Sequence, residues 1–195
     1  MSEVTDAINE VISALNAEPY LVHTESDIRC LLYSALLKRF IKKHEISRKN
    51  KIGGIYTTTR VHTEYPAGNK GRIDTVILNE HDIINADYRD WLAVRLNSGY
   101  RPILIDDAIE IKKCLAGEIN DTNLKDSVSK DVDRLVTLKK TKKTLRNGHI
   151  IFFCRWETGN DRNKQRMRDF VKWAAEKCSK SNLQFYHNDF EAIFL

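Results

Sequence analysis

The stretch that decides the fold is GRIDTVIL, residues 71–78. Its β-branched and aliphatic residues predict a strand from Arg72 to Leu78, with Asp74 as the exception. Aspartate is a poor strand former, and a buried carboxylate without a partner is costly. The sequence therefore indicates that Asp74 serves a purpose other than building the strand.

A second predicted strand repeats this pattern with AIEIKK, residues 108–113. Side chains alternate along a strand, so Glu110 and Lys112 point to one face. Ile109 and Ile111 pack on the other face. Two neighbouring strands therefore each carry a carboxylate, and the second strand also carries a lysine beside it.

The rest of the chain alternates predicted helices and strands around these two. Helices are predicted over residues 3–17, 24–40, 87–96, 124–140 and 162–178, and strands over residues 55–65, 72–78, 103–113, 150–155 and 183–194. This order predicts an α/β fold with a mixed central β-sheet flanked by helices. A chain of 195 residues without a linker or internal repeat predicts one domain over residues 1–195, with a core at about 20–155 and a C-terminal helix and strand at 160–195.

In this order of elements, Asp74 followed by the E-x-K of residues 110–112 resembles the PD-(D/E)XK nuclease superfamily, which includes many restriction endonucleases and repair nucleases. The resemblance spans roughly Glu25 to Arg155. It departs from the motif at Ile73, which stands where the motif name has proline, a common variation. The resemblance implies a restriction endonuclease-like core and a Mg²⁺-dependent deoxyribonuclease that acts as an endonuclease.

By this resemblance, Asp74 and Glu110 are ligands of Mg²⁺ or Mn²⁺, and the backbone carbonyl of Ile111 is a further ligand. Lys112 is the catalytic lysine. Hard cations of this kind take oxygen ligands and keep several waters, so two carboxylates and a substrate phosphate suffice to bind one. Such a metal lowers the pKa of a bound water and neutralises charge that builds on the phosphate. We expect Lys112 to orient the attacking water and stabilise the transition state, with general-base action as the alternative.

Glu25 is a further candidate catalytic residue. It lies in the first turn of a predicted helix, on the same stripe as Ile28 and Leu32, so it extends the buried face and points inward. The helix macrodipole favours a negative charge at this end. In the nuclease superfamily an acid on the first core helix often reaches the metal through water. Glu64, which ends the strand before the next turn, is the remaining acid that could belong to the site.

Basic residues cluster where a nucleic acid could bind. The chain has 32 Lys and Arg against 27 Asp and Glu, and the formal net charge of +5 permits a polyanionic partner without requiring one. The helix of residues 124–140 and its exit supply the predicted nucleic-acid-binding residues, which are Lys125, Lys130, Arg134, Lys139, Lys140, Lys142 and Lys143. DNA is therefore the predicted partner. Cutting both strands with one such site would usually need two copies, so a homodimer is expected for double-strand cleavage.

Two alternatives remain open at this point. Asp74 could be a purely structural ion-pair partner of Arg72 or Lys112. The chain could also have a nuclease fold without catalysis and bind nucleic acid or a protein partner. Bound metal between Asp74 and Glu110 would support the enzyme, whereas a salt bridge that fills this space would support the binding module.

Other classes of function lack their sequence signatures. No GxSxG setting, GxxxxGK[ST] loop or GxGxxG is present, which argues against a covalent hydrolase and against nucleotide-driven activity. The cysteines are far apart and lack zinc-site spacing, so we expect buried free thiols at Cys30, Cys114, Cys154 and Cys178. The longest apolar run is too short to span a bilayer and the N-terminus lacks signal-peptide features, so a soluble, cytoplasmic protein without a membrane partner is expected.

Overall fold

The central element is a five-stranded sheet with helices on both faces. A computed structural model describes residues 2–47, 55–66, 71–85, 103–115, 121–141, 144–155 and 161–189. The strands are β1 (His44–Ser47), β2 (Ile55–Thr58), β3 (Val61–Pro66), β4 (Arg72–Leu78), β5 (Ile105–Leu115), β6 (Leu145–Arg155) and β7 (Gln184–His187). The helices are α1 (Glu3–Ala17), α2 (Glu25–Arg39), α3 (Glu80–Asn85), α4 (Asp121–Val136) and α5 (Asp161–Lys180), with a 3₁₀ turn at Pro19–Leu21 and a π-helical turn at Thr137–Thr141.

The sheet is mixed and has the strand order β3-β4-β5-β6-β7. The β3–β4 and β4–β5 pairs are antiparallel, whereas the β5–β6 and β6–β7 pairs are parallel. The α/β fold with a mixed central sheet is therefore confirmed. β1 and β2 form a separate antiparallel pair.

β6 shows how the sheet is buried on both faces. Phe152 packs with Phe170 of α5, in a cluster that also contains the inward side chains of α4. The next residue, Phe153, belongs to a second cluster formed with α1 and α2. A strand that is covered on both faces is apolar at successive positions, which explains the continuous run at residues 150–154.

The region predicted as one strand over residues 55–65 is two strands, β2 and β3, which belong to different sheets. Arg60 lies in the break between them. Its Nε donates a hydrogen bond to the Leu78 carbonyl at 2.9 Å, and its Nη2 pairs with Asp106 at 2.8 Å. These contacts fix the chain at the edge of the sheet, so β3 begins a new pairing with β4. The short strand β1 and helix α3 were not predicted.

Two predicted strand ends need correction. β6 begins at Leu145 rather than residue 150, because it pairs with β5 from Ile105 onward although Arg146, Asn147 and His149 are polar. β7 ends at His187, whereas the sequence predicted a strand through residue 194, and residues 190–195 lie outside the described part of the chain. The helix predicted over residues 87–96 also lies outside it.

The four cysteines are free thiols, as predicted, but one of them is not buried. Cys114, Cys154 and Cys178 are buried in the core. Cys30 is exposed, because it lies on α2 away from the stripe that contains the buried Ile28. The prediction of burial is therefore wrong for Cys30.

Helix α2 begins with a capping box formed by Thr24 and Asp27. Thr24 Oγ1 accepts a hydrogen bond from the Asp27 N–H at 3.2 Å, and Asp27 Oδ2 accepts one from the Thr24 N–H at 2.7 Å. The backbone N–H of His23 also donates to Asp27, and these bonds lower the pKa of the Asp27 carboxyl. The box fixes the first turn of α2 and with it the position of Glu25.

We expect Thr24→Ala to lower the free energy of unfolding by about 1 kcal/mol, because the Asp27 N–H loses its acceptor at the start of the helix. Chemical denaturation followed by circular dichroism measures this loss. Ser26→Ala, an exposed change in the same turn, is the matched control and should leave the midpoint near that of wild type. Equal losses in the two variants would contradict the capping role.

Candidate active site

Asp74 lies where β4 and β5 separate. The last residue pair of their ladder on this side is Thr75 with Ile109, and Asp74 is the next residue on β4. Its Oδ2 accepts a hydrogen bond from the backbone N–H of Ile111 at 2.8 Å. The carboxylate thus takes the place of a backbone carbonyl as partner of β5, which accounts for an acid in this apolar strand.

Glu110 lies opposite Asp74, as the next residue of β5 beyond the same pair. Its side chain is buried, with only 2% exposed, and its Oε1 lies 2.6 Å from Nη1 of Arg134. Burial raises the pKa of Glu110 to about 8, and the negative charges of Asp131 and Asp74 add to the rise, while Arg134 opposes it. At neutral pH this carboxyl is therefore largely protonated, and a metal ion that binds it must displace its proton.

Lys112 points to the same face as Glu110, as strand alternation predicts, and its Nζ lies 3.0 Å from Oδ2 of Asp131 on α4. Burial opposes the charge of this ammonium, but the pairing with Asp131 and the charges of Glu25 and Asp74 raise the pKa of Lys112 above its usual value. The side chain therefore remains an ammonium at neutral pH. This favours a role in orienting and stabilising charge over general-base action.

Lys113 lies on the opposite side of β5 and contacts the start of α2. Its Nζ donates to the His23 carbonyl, and its backbone N–H donates to Oε1 of Glu25 at 3.1 Å. Glu25 is therefore half-buried at the same end of the sheet as Asp74 and attaches α2 to β5. It adds negative charge near Lys112. The structure thus brings together the four candidate catalytic residues that the sequence predicts.

Two arginines hold the carboxylates, and neither pairing was predicted from the sequence. Arg29 of α2 lies between Asp74, with 3.2 Å from Nη2 to Oδ1, and Glu64 of β3, whose carboxylate it also contacts. Arg134 of α4 lies between Glu110 and Asp131, at 3.4 Å from Oδ1 of the latter. Glu64 adopts a positive φ of 52°, which turns the strand at this point. Through its contact with Arg29, Glu64 belongs to the candidate site.

Helical spacing contains a signal for these missed residues. Arg29 follows Glu25 by four residues and Arg134 follows Asp131 by three, so each pair shares one helix face. Asp131 is only 3% exposed although it is charged, which marks the inward face of α4. Arg134 was predicted from the sequence to contact DNA, and Asp131 was not predicted to belong to the site.

The described members of the predicted nucleic-acid-binding set lie in different surroundings. Arg134 points into the site, Lys125 lies over the ring of Trp173, and Lys139 donates to the Asn182 carbonyl at 2.8 Å. Lys130 and Lys140 are exposed. Lys142 and Lys143 lie outside the described residues.

The oxygen atoms at the site suit a hard cation. Among the described residues no group of three or more His, Cys, Asp or Glu is placed to hold a metal ion, so the side-chain ligands would be Asp74 and Glu110 alone. Because the N–H and C=O of a strand residue face the same neighbour, the Ile111 carbonyl faces β4 together with the N–H that binds Asp74. Two carboxylates, one carbonyl and water form the donor set that Mg²⁺ accepts.

Comparison of the chain with protein-family models, with curated proteins and with solved structures gave no match. No helix in the described part of the chain is both long enough and apolar enough to cross a membrane. The geometry of the site is thus the basis on which its chemistry is inferred.

We expect Asp131→Asn to lower the free energy of unfolding by about 3 kcal/mol, because the largely buried ammonium of Lys112 loses its ion-pair partner and Arg134 loses one of its two. The double variant Asp131→Asn with Lys112→Met should recover part of this loss, which denaturant unfolding of all four proteins in the cycle measures. Asp133→Asn, an exposed change on the same helix, is the control. Additive effects in the cycle would show that Lys112 and Asp131 do not interact.

Proposed function

We propose that this chain is a metal-dependent nuclease of the PD-(D/E)XK kind, with a restriction endonuclease-like core, and that it cleaves DNA as an endonuclease. The observation that carries the proposal is the meeting of Asp74, Glu110 and Lys112 where β4 and β5 separate. The motif, an Asp followed by E-x-K on the next strand, can form a site only if these residues lie close together in the folded chain. A core helix that brings Glu25 to the same place adds to this support.

The roles follow from the chemistry of each group. Asp74, Glu110 and the Ile111 carbonyl would hold Mg²⁺ or Mn²⁺, which when bound would polarise the phosphodiester and lower the pKa of a water ligand. Lys112 stays protonated beside Asp131, so its ammonium can orient the attacking water and stabilise charge on the phosphate. Arg134, which binds the carboxylate of Glu110, would also be able to donate hydrogen bonds to the oxygens of a substrate phosphate.

A second candidate function is a nuclease fold that binds nucleic acid or a protein partner without cutting. The observation that favours it is the pairing of both carboxylates with arginines, since Arg29 contacts Asp74 and Arg134 contacts Glu110. Ion pairs in these positions satisfy the carboxylates without a metal. Whether a divalent cation can displace these guanidinium groups from the carboxylates therefore distinguishes the enzyme from the binding module.

We expect wild-type protein to bind Mn²⁺ in titration calorimetry and to nick supercoiled plasmid in Mg²⁺ or Mn²⁺ but not in chelator. Asp74→Asn and Glu110→Gln keep the shape of each side chain and remove its charge, so both metal binding and nicking should be lost. Asp169→Asn, on the exposed face of α5, is the control for an unrelated acid. An RNA substrate and a linear duplex tested in parallel define which nucleic acid is cut.

The same experiment can contradict the proposal. Nicking that survives in either purified site variant would show that cleavage does not use these carboxylates. DNA binding by a wild-type protein that binds no Mn²⁺ and cuts nothing would support the binding module instead.

We expect Lys112→Met to keep Mn²⁺ and DNA affinity near those of wild type and to lower the cleavage rate by about a hundredfold or more, the scale for loss of one preorganised charge-stabilising group. Methionine keeps most of the buried stem of the side chain. Lys113→Met, on the opposite side of β5, is the matched control and should cut nearly as fast as wild type. The reverse result would show that the lysines have exchanged roles.

A further inference from the structure

A cleft of about 380 Å³ lies along the edge strand β3, on the α2 side of the sheet. Its lining includes Tyr33 of α2, Lys43 before β1, Thr57 and Thr58 of β2, and His62 and Thr63 of β3. This volume is at the lower end for ligand sites, which suits one nucleotide unit better than a large ligand. The cleft is also open at the surface, because Lys43, Thr57 and Thr63 are exposed.

The lining selects for an anion that carries hydrogen-bond acceptors. Thr57 and Thr63 contribute hydroxyl groups, whereas the hydroxyls of Thr58 and Thr59 donate to backbone carbonyls. Lys43 contributes a positive charge, and none of the described residues that line the cleft is acidic. Threonine hydroxyls, lysine and tyrosine are among the side chains that commonly contact phosphate oxygens in nucleic-acid complexes. Tyr33 adds an aromatic ring, which is the usual platform for a base.

His62 helps to shape this cleft and does not supply charge to it. Its Nε2 lies 2.9 Å from the Thr59 carbonyl and 3.2 Å from Thr58 Oγ1, so the imidazole holds the turn between β2 and β3 in place. Burial lowers the pKa of His62, which keeps the ring neutral at physiological pH. Lys43 is thus the positive charge among the described lining residues.

Helix α2 connects the cleft to the candidate active site. Glu25, Arg29 and Tyr33 follow one another at intervals of four residues, so they form one stripe with steps of about 6 Å along the helix. Glu25 contacts β5, Arg29 contacts Asp74, and Tyr33 lines the cleft. The cleft therefore begins about 6 Å along the helix from Arg29, the arginine that contacts Asp74.

We propose that this cleft binds one nucleotide of the substrate strand, with Lys43 and the hydroxyls of Thr57 and Thr63 on its phosphate and Tyr33 beside its base. This inference rests on the proposed nuclease function. The helical distance of about 12 Å from Glu25 to Tyr33 corresponds to about three to four nucleotides of a stacked strand at 3.4 Å each. The cleft thus holds the strand at a fixed distance from the bond that is cut.

The test measures binding of a fluorescein-labelled 12-nucleotide single-stranded DNA by anisotropy, in chelator and over a range of salt concentrations. Lys43→Ala should weaken binding about five- to tenfold and reduce the salt slope by about one, as expected for one lost phosphate contact. Thr63→Val should weaken binding by about two- to fivefold without a change in slope, because the hydroxyl is neutral. Lys42→Ala is the matched control, since Lys42 is the adjacent residue and pairs with Glu80 at 2.7 Å.

Each outcome decides the proposal. Weaker binding by Lys43→Ala with near wild-type binding by Lys42→Ala supports the cleft, and equal losses in both variants would attribute the effect to net charge and overturn it. A wild-type protein that does not bind the oligonucleotide also overturns it. Because binding is measured without metal, a protein that binds through Lys43 but never cuts would refute the nuclease alone, whereas cleavage with unchanged affinity in Lys43→Ala would refute the cleft alone.

Discussion

The hydrogen bond from the Ile111 N–H to Asp74 Oδ2 is the interaction on which the candidate site depends. It replaces a backbone bond at the point where β4 and β5 part, so the strands can separate without leaving a buried N–H unpaired. Where the strands separate, the N–H and C=O of Ile111 face β4, and Glu110 lies beside Asp74. A hydrophobic residue at position 74 would leave this N–H without an acceptor at the point where the strands separate.

The carboxylates that gather there must be balanced, because buried like charges raise each other's pKa and are costly without partners. Arg29 approaches from α2 and Arg134 from α4, on opposite sides of the sheet, while Asp131 holds both Lys112 and Arg134. The network thus ties the two helical layers to one end of the sheet. A cation or a phosphate that enters this network would exchange partners with charged groups already in place.

Helix α2 has a second role beyond covering the sheet. Its capping box fixes the turn that carries Glu25, and its stripe of Glu25, Arg29 and Tyr33 leads from the site to the cleft at β3. The adjacent stripe of the helix, which includes Ile28 and Leu32, packs in the apolar cluster with β5 and β6. A shift of α2 would therefore move the site and the cleft together.

The sequence by itself determined the features that depend on periodicity along one element. Alternation in residues 108–113 assigned Glu110 and Lys112 to one face, and a helix was predicted over residues 24–40, where α2 lies. The mixed α/β sheet followed from the order of helices and strands. These predictions succeeded because side-chain direction within a strand or helix is a local property.

Only the tertiary structure decided which side chains meet. The packing of the helices against the sheet brings Arg29 to Asp74 and Arg134 to Glu110. It also brings Asp131 to Lys112. The break between β2 and β3 depends on contacts of Arg60 with residues far along the chain. A sequence pattern gives the direction of a side chain relative to its own element, but an ion pair depends on the distance between two elements, which the packing of the whole core fixes.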